Sequence, residues 1–263
     1  MQRYLAILLF TASAASLAAQ IAPPNPGFVR YDGLPIQGLY GLPGNFVPAD
    51  AAWGEADTIS FSDRFGFLVT KGVIKLVRID GSVLGRYEYD GPAPILHVGS
   101  TPESAVAWLP GTHSLLHWTE RGFSVTEEES IGSDAIVSAL ELSASDVARF
   151  LITHPDRSVS NVTLSLSTTS VISSDFLPGV SGPAFRFAGQ LIWAGNHGLE
   201  IEDSDGRQHT LPSPAGLFTA EQMSSQWVHL FYPYDRTHWA LHLSKTEPTL
   251  SRLPAPAIAK GLR

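Results

Sequence analysis

Bulky apolar pairs recur along this chain at an almost even spacing. The pairs Phe67-Leu68, Ala107-Trp108, Phe150-Leu151, Ile192-Trp193 and His229-Leu230 are separated by steps of 40, 43, 42 and 37 residues. Each lies in the second of four short apolar runs, and the clearest unit is Thr58 to Tyr89. Its runs are too short for helices and are rich in Val, Ile, Phe and Tyr, so they read as strands. The turns fall at Ser62-Asp63-Arg64, Lys71-Gly72 and Asp80-Gly81-Ser82. Gly and Asp there supply the positive φ or the local side-chain bonding that tight hairpin connections need.

Four further units repeat the pattern. Their runs begin at Ile95, Ala105, Ser114 and Phe123; at Ala135, Val147, Val159 and Ser170; at Ala184, Leu191, Gly198 and Gln208; and at Leu217, Trp227, His238 and Thr249. Four strands per roughly 40 residues is the spacing of propeller blades. The second run of each unit is apolar on both faces, as in Phe65 to Val69. A blade sandwiched between two neighbours needs that, whereas a two-sheet sandwich shows cleaner alternation. The expected fold is an all-β propeller with five clear blades and a degenerate sixth, with a β-sandwich as the alternative. The expected blade boundaries are 28–54, 55–91, 92–131, 132–179, 180–213 and 214–253. Residues 28–54 supply the degenerate blade, closed by the tail, and pairing the two chain ends would remove exposed sheet edges.

Composition supports this and excludes several functions. Charged residues are 16% of the 263, against roughly 25% in an average soluble domain, so long charged surface helices are not expected. A net charge of −8 with 17 scattered basic residues lacks the basic cluster of a nucleic-acid binder. Residues 1–18 read as a cleavable export signal: Gln2-Arg3, an apolar core from Tyr4 to Phe10, then small residues with Ser16 and Ala18 placed for cleavage. A Pro-rich lead-in covers 19–27. No stretch reaches membrane-spanning length, and there is no cysteine to form a disulfide. The expectation is a secreted or periplasmic monomer.

The stretch Ser62 to Thr70 resembles the polar turn and apolar strand of secreted bacterial YVTN/WD40-like propellers, and Val77-Arg78-Ile79-Asp80-Gly81 resembles their strand-to-Asp-Gly turn. The resemblance is at the level of fold. Propellers serve many functions, so it implies little about activity.

No catalytic motif, phosphate loop or cofactor signature is present. His238 and His242, four apart on one strand, would sit roughly 13 Å from each other at about 3.3 Å per residue, too far to share an ion. The segment Glu202 to Gly206 resembles half of a calcium loop but lacks its closing Glu, so it reads as an Asp-Gly turn. Asn161-Val162-Thr163 is a formal glycosylation acceptor inside an expected strand. Trp118, Trp193 and Trp239 fall in strands and read as blade packing. In a propeller the second-to-third-strand turns share one face with the blade connectors. Those turns carry His113, then His154 with Asp156 and Arg157, then Asn196 and His197, then Tyr234, Asp235 and Arg236. They are the candidate binding rim, for an exported protein or a glycan. The alternative is a metal-assisted, lactonase-like hydrolase whose ion is held at the channel mouth by Asp57, Asp90 or Asp134 with a rim histidine.

Overall fold

The computed structural model describes residues 24–256 except 129, 133, 134, 145 and 245. The expected signal segment and Asp134 lie outside those residues. Six antiparallel sheets follow one another in chain order. Blade 1 is β1 (Gly27–Val29), β2 (Pro35–Leu42) and β3 (Asn45–Glu55). Blade 2 is β4 (Thr58–Phe61), β5 (Phe65–Thr70), β6 (Val73–Arg78) and β7 (Val83–Glu88). Blade 3 is β8 (Ile95–His97), β9 (Val106–Leu109), β10 (Ser114–Thr119) and β11 (Gly122–Glu127). Blade 4 is β12 (Ile136–Ala144), β13 (Val147–Thr153), β14 (Ser158–Ser165) and β15 (Ser170–Ser181). Blade 5 is β16 (Ala184–Phe187), β17 (Gln190–Ala194), β18 (Leu199–Glu202) and β19 (Gln208–Leu211). Blade 6 is β20 (Thr219–Gln222), β21 (Trp227–Tyr232), β22 (Thr237–His242) and β23 (Thr249–Arg252). The first strands of blades 2 to 6 line the axis, β4 meeting β20 and β8, and β12 meeting β8 and β16, and every pairing is between sequence neighbours.

The count is therefore six, not five and a remnant. Blade 1 has three strands, of which β3 is 11 residues long. Among the described residues no tail strand joins it: β23 stays in blade 6, and β1 pairs with β2 alone. The ring closes instead by contacts between blades. The N–H of Phe28 donates to the Met223 carbonyl at 3.2 Å, and the Tyr31 hydroxyl donates to the Pro254 carbonyl at 3.2 Å. Gly27 holds φ +125° against the Met223 carbonyl, where a Cβ would collide with it, so this seam requires glycine. Because β1 is only three residues long, β20 and β4 meet directly near the axis. Ser225 N–H donates to Asp63 across that junction at 3.2 Å.

The apolar second strands become the core. β5 and β9 are buried along nearly their whole length, and the buried clusters lie between neighbouring blades rather than inside one sheet. Phe67, Val69, Leu76, Ala107 and Leu116 join blades 2 and 3. Trp108, Leu115, Leu140 and Phe150 join blades 3 and 4. The outer strands pack as closely. A Cβ on Gly85 of β7 would strike the Trp118 ring of β10. Gly85→Ala is accordingly expected to destabilise by about 1–3 kcal/mol, the usual cost of overpacking, read by denaturant unfolding. Trp118, Trp193 and Trp239 all lie in strands, Trp193 in a buried cluster between blades 4 and 5. No helix among the described residues is long and apolar enough to cross a membrane.

Candidate functional site

The inner strands surround an axial channel whose upper end opens on the face carrying the blade connectors. A cavity of about 320 Å³ fills that end. Exposed Asp57, Ala93 and Thr219 stand at its lip, and Ile95, Leu96, Leu140 and Phe185 give it an apolar wall. Arg30, Arg186 and Glu221 supply its remaining charge.

Glu221 is the most heavily bonded group there. It accepts from Arg30 Nε at 3.0 Å and from Thr58 Oγ1 at 3.2 Å. His229 Nδ1 stands 3.6 Å from its other oxygen, and His229 Nε2 lies 2.9 Å from His238 Nδ1. Tyr31 packs edge-on against His238. Burial would raise the Glu221 pKa, but the neighbouring His229 and the Arg30 charge outweigh it and hold the carboxyl below its ordinary value. Burial likewise works against the Arg30 charge, and Glu221 and Asp32 overcome it. Both observations describe an ionised pair at the junction of blades 1, 2 and 6. His238 is pushed down to about 4 by burial and by its neighbour His229, so it is neutral near pH 7.

The channel holds a second cavity at its other end. Gln222, 7% exposed, sits between this cavity and a second one of about 350 Å³ at the opposite mouth. Ser60 Oγ donates to its Oε1 at 3.1 Å, and its Nε2 donates to the Val98 carbonyl at 3.2 Å. The lower cavity is lined by His97, Ser100, Ser104, Glu141 and Ser225. Burial depresses the His97 pKa to about 4 and raises that of Glu141.

The rim residues lie in the second-to-third-strand turns, where the sequence places them, and several are engaged by neighbouring groups. His113, Arg157 and Arg236 occupy the left-handed region at φ 49°, 68° and 51°, and Lys71 holds the same place in blade 2 at 49°. His113 packs on Trp108. His154 Nε2 is 2.9 Å from Ser160 Oγ. Asp156 accepts from Ser158 N–H and Oγ. Arg157 donates to the Gly182 carbonyl at 3.1 Å. Tyr234 is 91% exposed, and Asp235 follows it in the turn. None of these seven lines the channel cavity. Asn196 and His197 differ, because both line a groove of about 430 Å³ between the end of β15 and blade 5, together with Glu200, Gln208 and Thr210. Thr210 Oγ1 donates to Glu200 Oε2 at 2.8 Å. The Glu200 side chain also lies over the Gly195 Cα, in space that a Cβ would take.

Asp57 and Asp90, the described carboxylates of the metal reading, are not gathered at the mouth with a histidine. Asp57 is at the lip, where its Oδ2 accepts the Lys71 N–H at 2.7 Å. Asp90 lines a separate shallow groove with Lys71 and Glu88, and no histidine lines the upper cavity. Among the described residues no group of three or more His, Asp or Glu converges as metal ligands would. The Asp203 carboxylate is taken up by its own turn, accepting the N–H groups of Asp205 and Arg207. Asn161 lies on β14 with its Oδ1 buried.

Sequence reasoning missed Arg186, Glu221 and Gln222. The available signal was a charge or amide set inside an apolar inner strand, as in Phe185-Arg186-Phe187.

No family model matches the chain, and no curated protein matches it in sequence. Solved structures do match in shape. A chain of the nidogen/laminin complex gives a TM-score of 0.56 at 13% identity, covering 86% of this chain and 92% of that one. A mutant of the Aleuria aurantia lectin, solved with Fucα1-6GlcNAc, gives 0.50 at 12% identity, covering 89% and 93%. A streptogramin B lyase gives 0.50 at 9% identity, covering 89% and 85%. At such identities the likeness carries the fold and nothing finer. The propeller that the local resemblance implied is the fold of this chain: it is a six-bladed β-propeller.

Proposed function

We propose that the protein is an exported, non-enzymatic binding module that takes a glycan on its connector-bearing face, in the groove between blades 4 and 5. The observation that carries this is the convergence of Asn196, His197, Glu200, Gln208 and Thr210 around one cavity of about 430 Å³. Amide, imidazole, carboxylate and hydroxyl groups together offer both donors and acceptors, which is what a neutral polyol requires. Thr210 fixes the Glu200 carboxylate before any ligand arrives, which lowers the ordering cost of binding. The lectin and nidogen/laminin folds show that shapes of this kind occur in proteins solved with a sugar or in a protein complex. The remaining rim turns occupy the equivalent hairpin positions of the other blades.

The test is a defined oligosaccharide array, followed by calorimetry on the best binder. Glu200→Gln should weaken binding roughly ten- to a hundredfold, the range of a lost charge-assisted hydrogen bond. An array that retains nothing, or a Glu200→Gln chain that binds as well as the parent, overturns the reading. Capture of a protein partner that is lost on replacing His197 with Ala would replace the glycan by a protein ligand.

A further inference from the structure

We propose that the upper mouth of the channel is a second, separate site, which binds a small organic carboxylate through Arg186. The three other charges around this cavity are already engaged. Arg30 is paired with Asp32 at 2.6 Å and Glu221 at 3.0 Å, Glu221 is thereby neutralised, and Asp57 accepts a backbone N–H. Arg186 has no carboxylate within ion-pair distance among the described residues. Its Nε is buried without a hydrogen-bond partner, and the residue is part of the cavity lining. Burial lowers its pKa, the charges of Glu141 and Glu202 only partly opposing that. A guanidinium whose Nε is buried without a partner is costly, and a carboxylate presents two oxygens in the geometry that its N–H fork matches.

The rest of the cavity narrows the class. Ile95, Leu96, Leu140 and Phe185 form an apolar wall beside Arg186, so the ligand carries an apolar body as well as an acid group. A volume of about 320 Å³ lies at the lower end of the small-ligand range. Exposed Asp57 at the lip disfavours a dianion such as phosphate, which would bring more charge than one arginine can balance.

The experiment is calorimetric titration with benzoate, hexanoate and 4-phenylbutyrate, each beside its neutral alcohol, and with inorganic phosphate. At least one carboxylate should bind roughly ten- to a hundredfold tighter than its alcohol. Arg186→Gln should abolish that preference, while Val47→Ser, on the exposed outer strand of blade 1, should leave it intact. Alcohols binding as well as acids, phosphate binding tighter than every carboxylate, no binding across the series, or a preference that survives Arg186→Gln each overturn the assignment. Should Arg186→Gln fail to fold by circular dichroism, the acid-against-alcohol comparison on the unaltered chain still decides.

Discussion

Glu221→Ala should unfold about 3–5 kcal/mol more easily than the parent chain, the usual consequence of stripping one partner from a buried ion pair. The Arg30 side chain is 19% exposed, and its other partner, Asp32, is 76% exposed, where water screens the attraction. Removing Glu221 thus leaves a buried cation almost uncompensated. It also takes the acceptor from Thr58 of blade 2 and the carboxylate neighbour from His229 of blade 6. Three blades lose a shared tie at the place where no strand exchange closes the ring. For a chain of this size the melting temperature should fall by roughly 10 °C. Replacing the pair together, Arg30→Met with Glu221→Leu, should recover most of the loss, because neither charge is then stranded. A single mutant within about 1 kcal/mol of the parent would mean that the apolar contacts of the seam suffice.

Acidification from pH 6.5 towards 4 should weaken the fold by about 3 kcal/mol through His97 alone. Burial holds this imidazole, 8% exposed, at about 4 in the native state, while the unfolded chain protonates it near pH 6.5. Between those values the unfolded state binds the extra proton. The His97 contribution is therefore intact above pH 6.5, lost progressively below it, and unchanging beneath pH 4. His238 acts with the same sign, though it is only partly buried and solvent reduces its share. Glu141 acts in the opposite direction. Burial raises its pKa, so acid favours the fold as pH falls through the range just above the ordinary carboxylate value. Glu221, held low, withdraws its support only below that value. Urea unfolding at pH 7, 5.5 and 4.5 should show the slope, and His97→Leu should flatten it. A parent profile already level over that range would mean that water reaches the imidazole in the folded protein.

The repeat was readable because one physical demand recurs in every blade. A strand covered on both faces must be apolar throughout, and Phe65–Thr70, Val106–Leu109 and Gln190–Ala194 show it. Blade 1 hid its standing because its longest strand is mostly exposed. β3 runs through Pro48 and buries only Phe46, so it carries little of that signature. Pro178-Gly179 reads as a connector, yet β15 runs through it to Ser181. As the outer strand of blade 4 it has a free edge, where proline costs no ladder bond. The rim turns were legible as turns, but part of their composition answers to backbone geometry. His113, Arg157 and Arg236 fill a left-handed position that each hairpin repeats. The channel lining was the least legible, because Arg30, Arg186 and Glu221 lie far apart in sequence and only ring closure brings them to one mouth.

Gln222 is a floor shared by two cups set base to base. With its amide engaged by Ser60 and Val98, that floor is tied to blades 2 and 3, and a ligand resting on either side of it meets the same side chain. The two ends of the barrel are free to diverge in chemistry: a cationic, apolar-walled bowl at one and a histidine-and-glutamate bowl at the other.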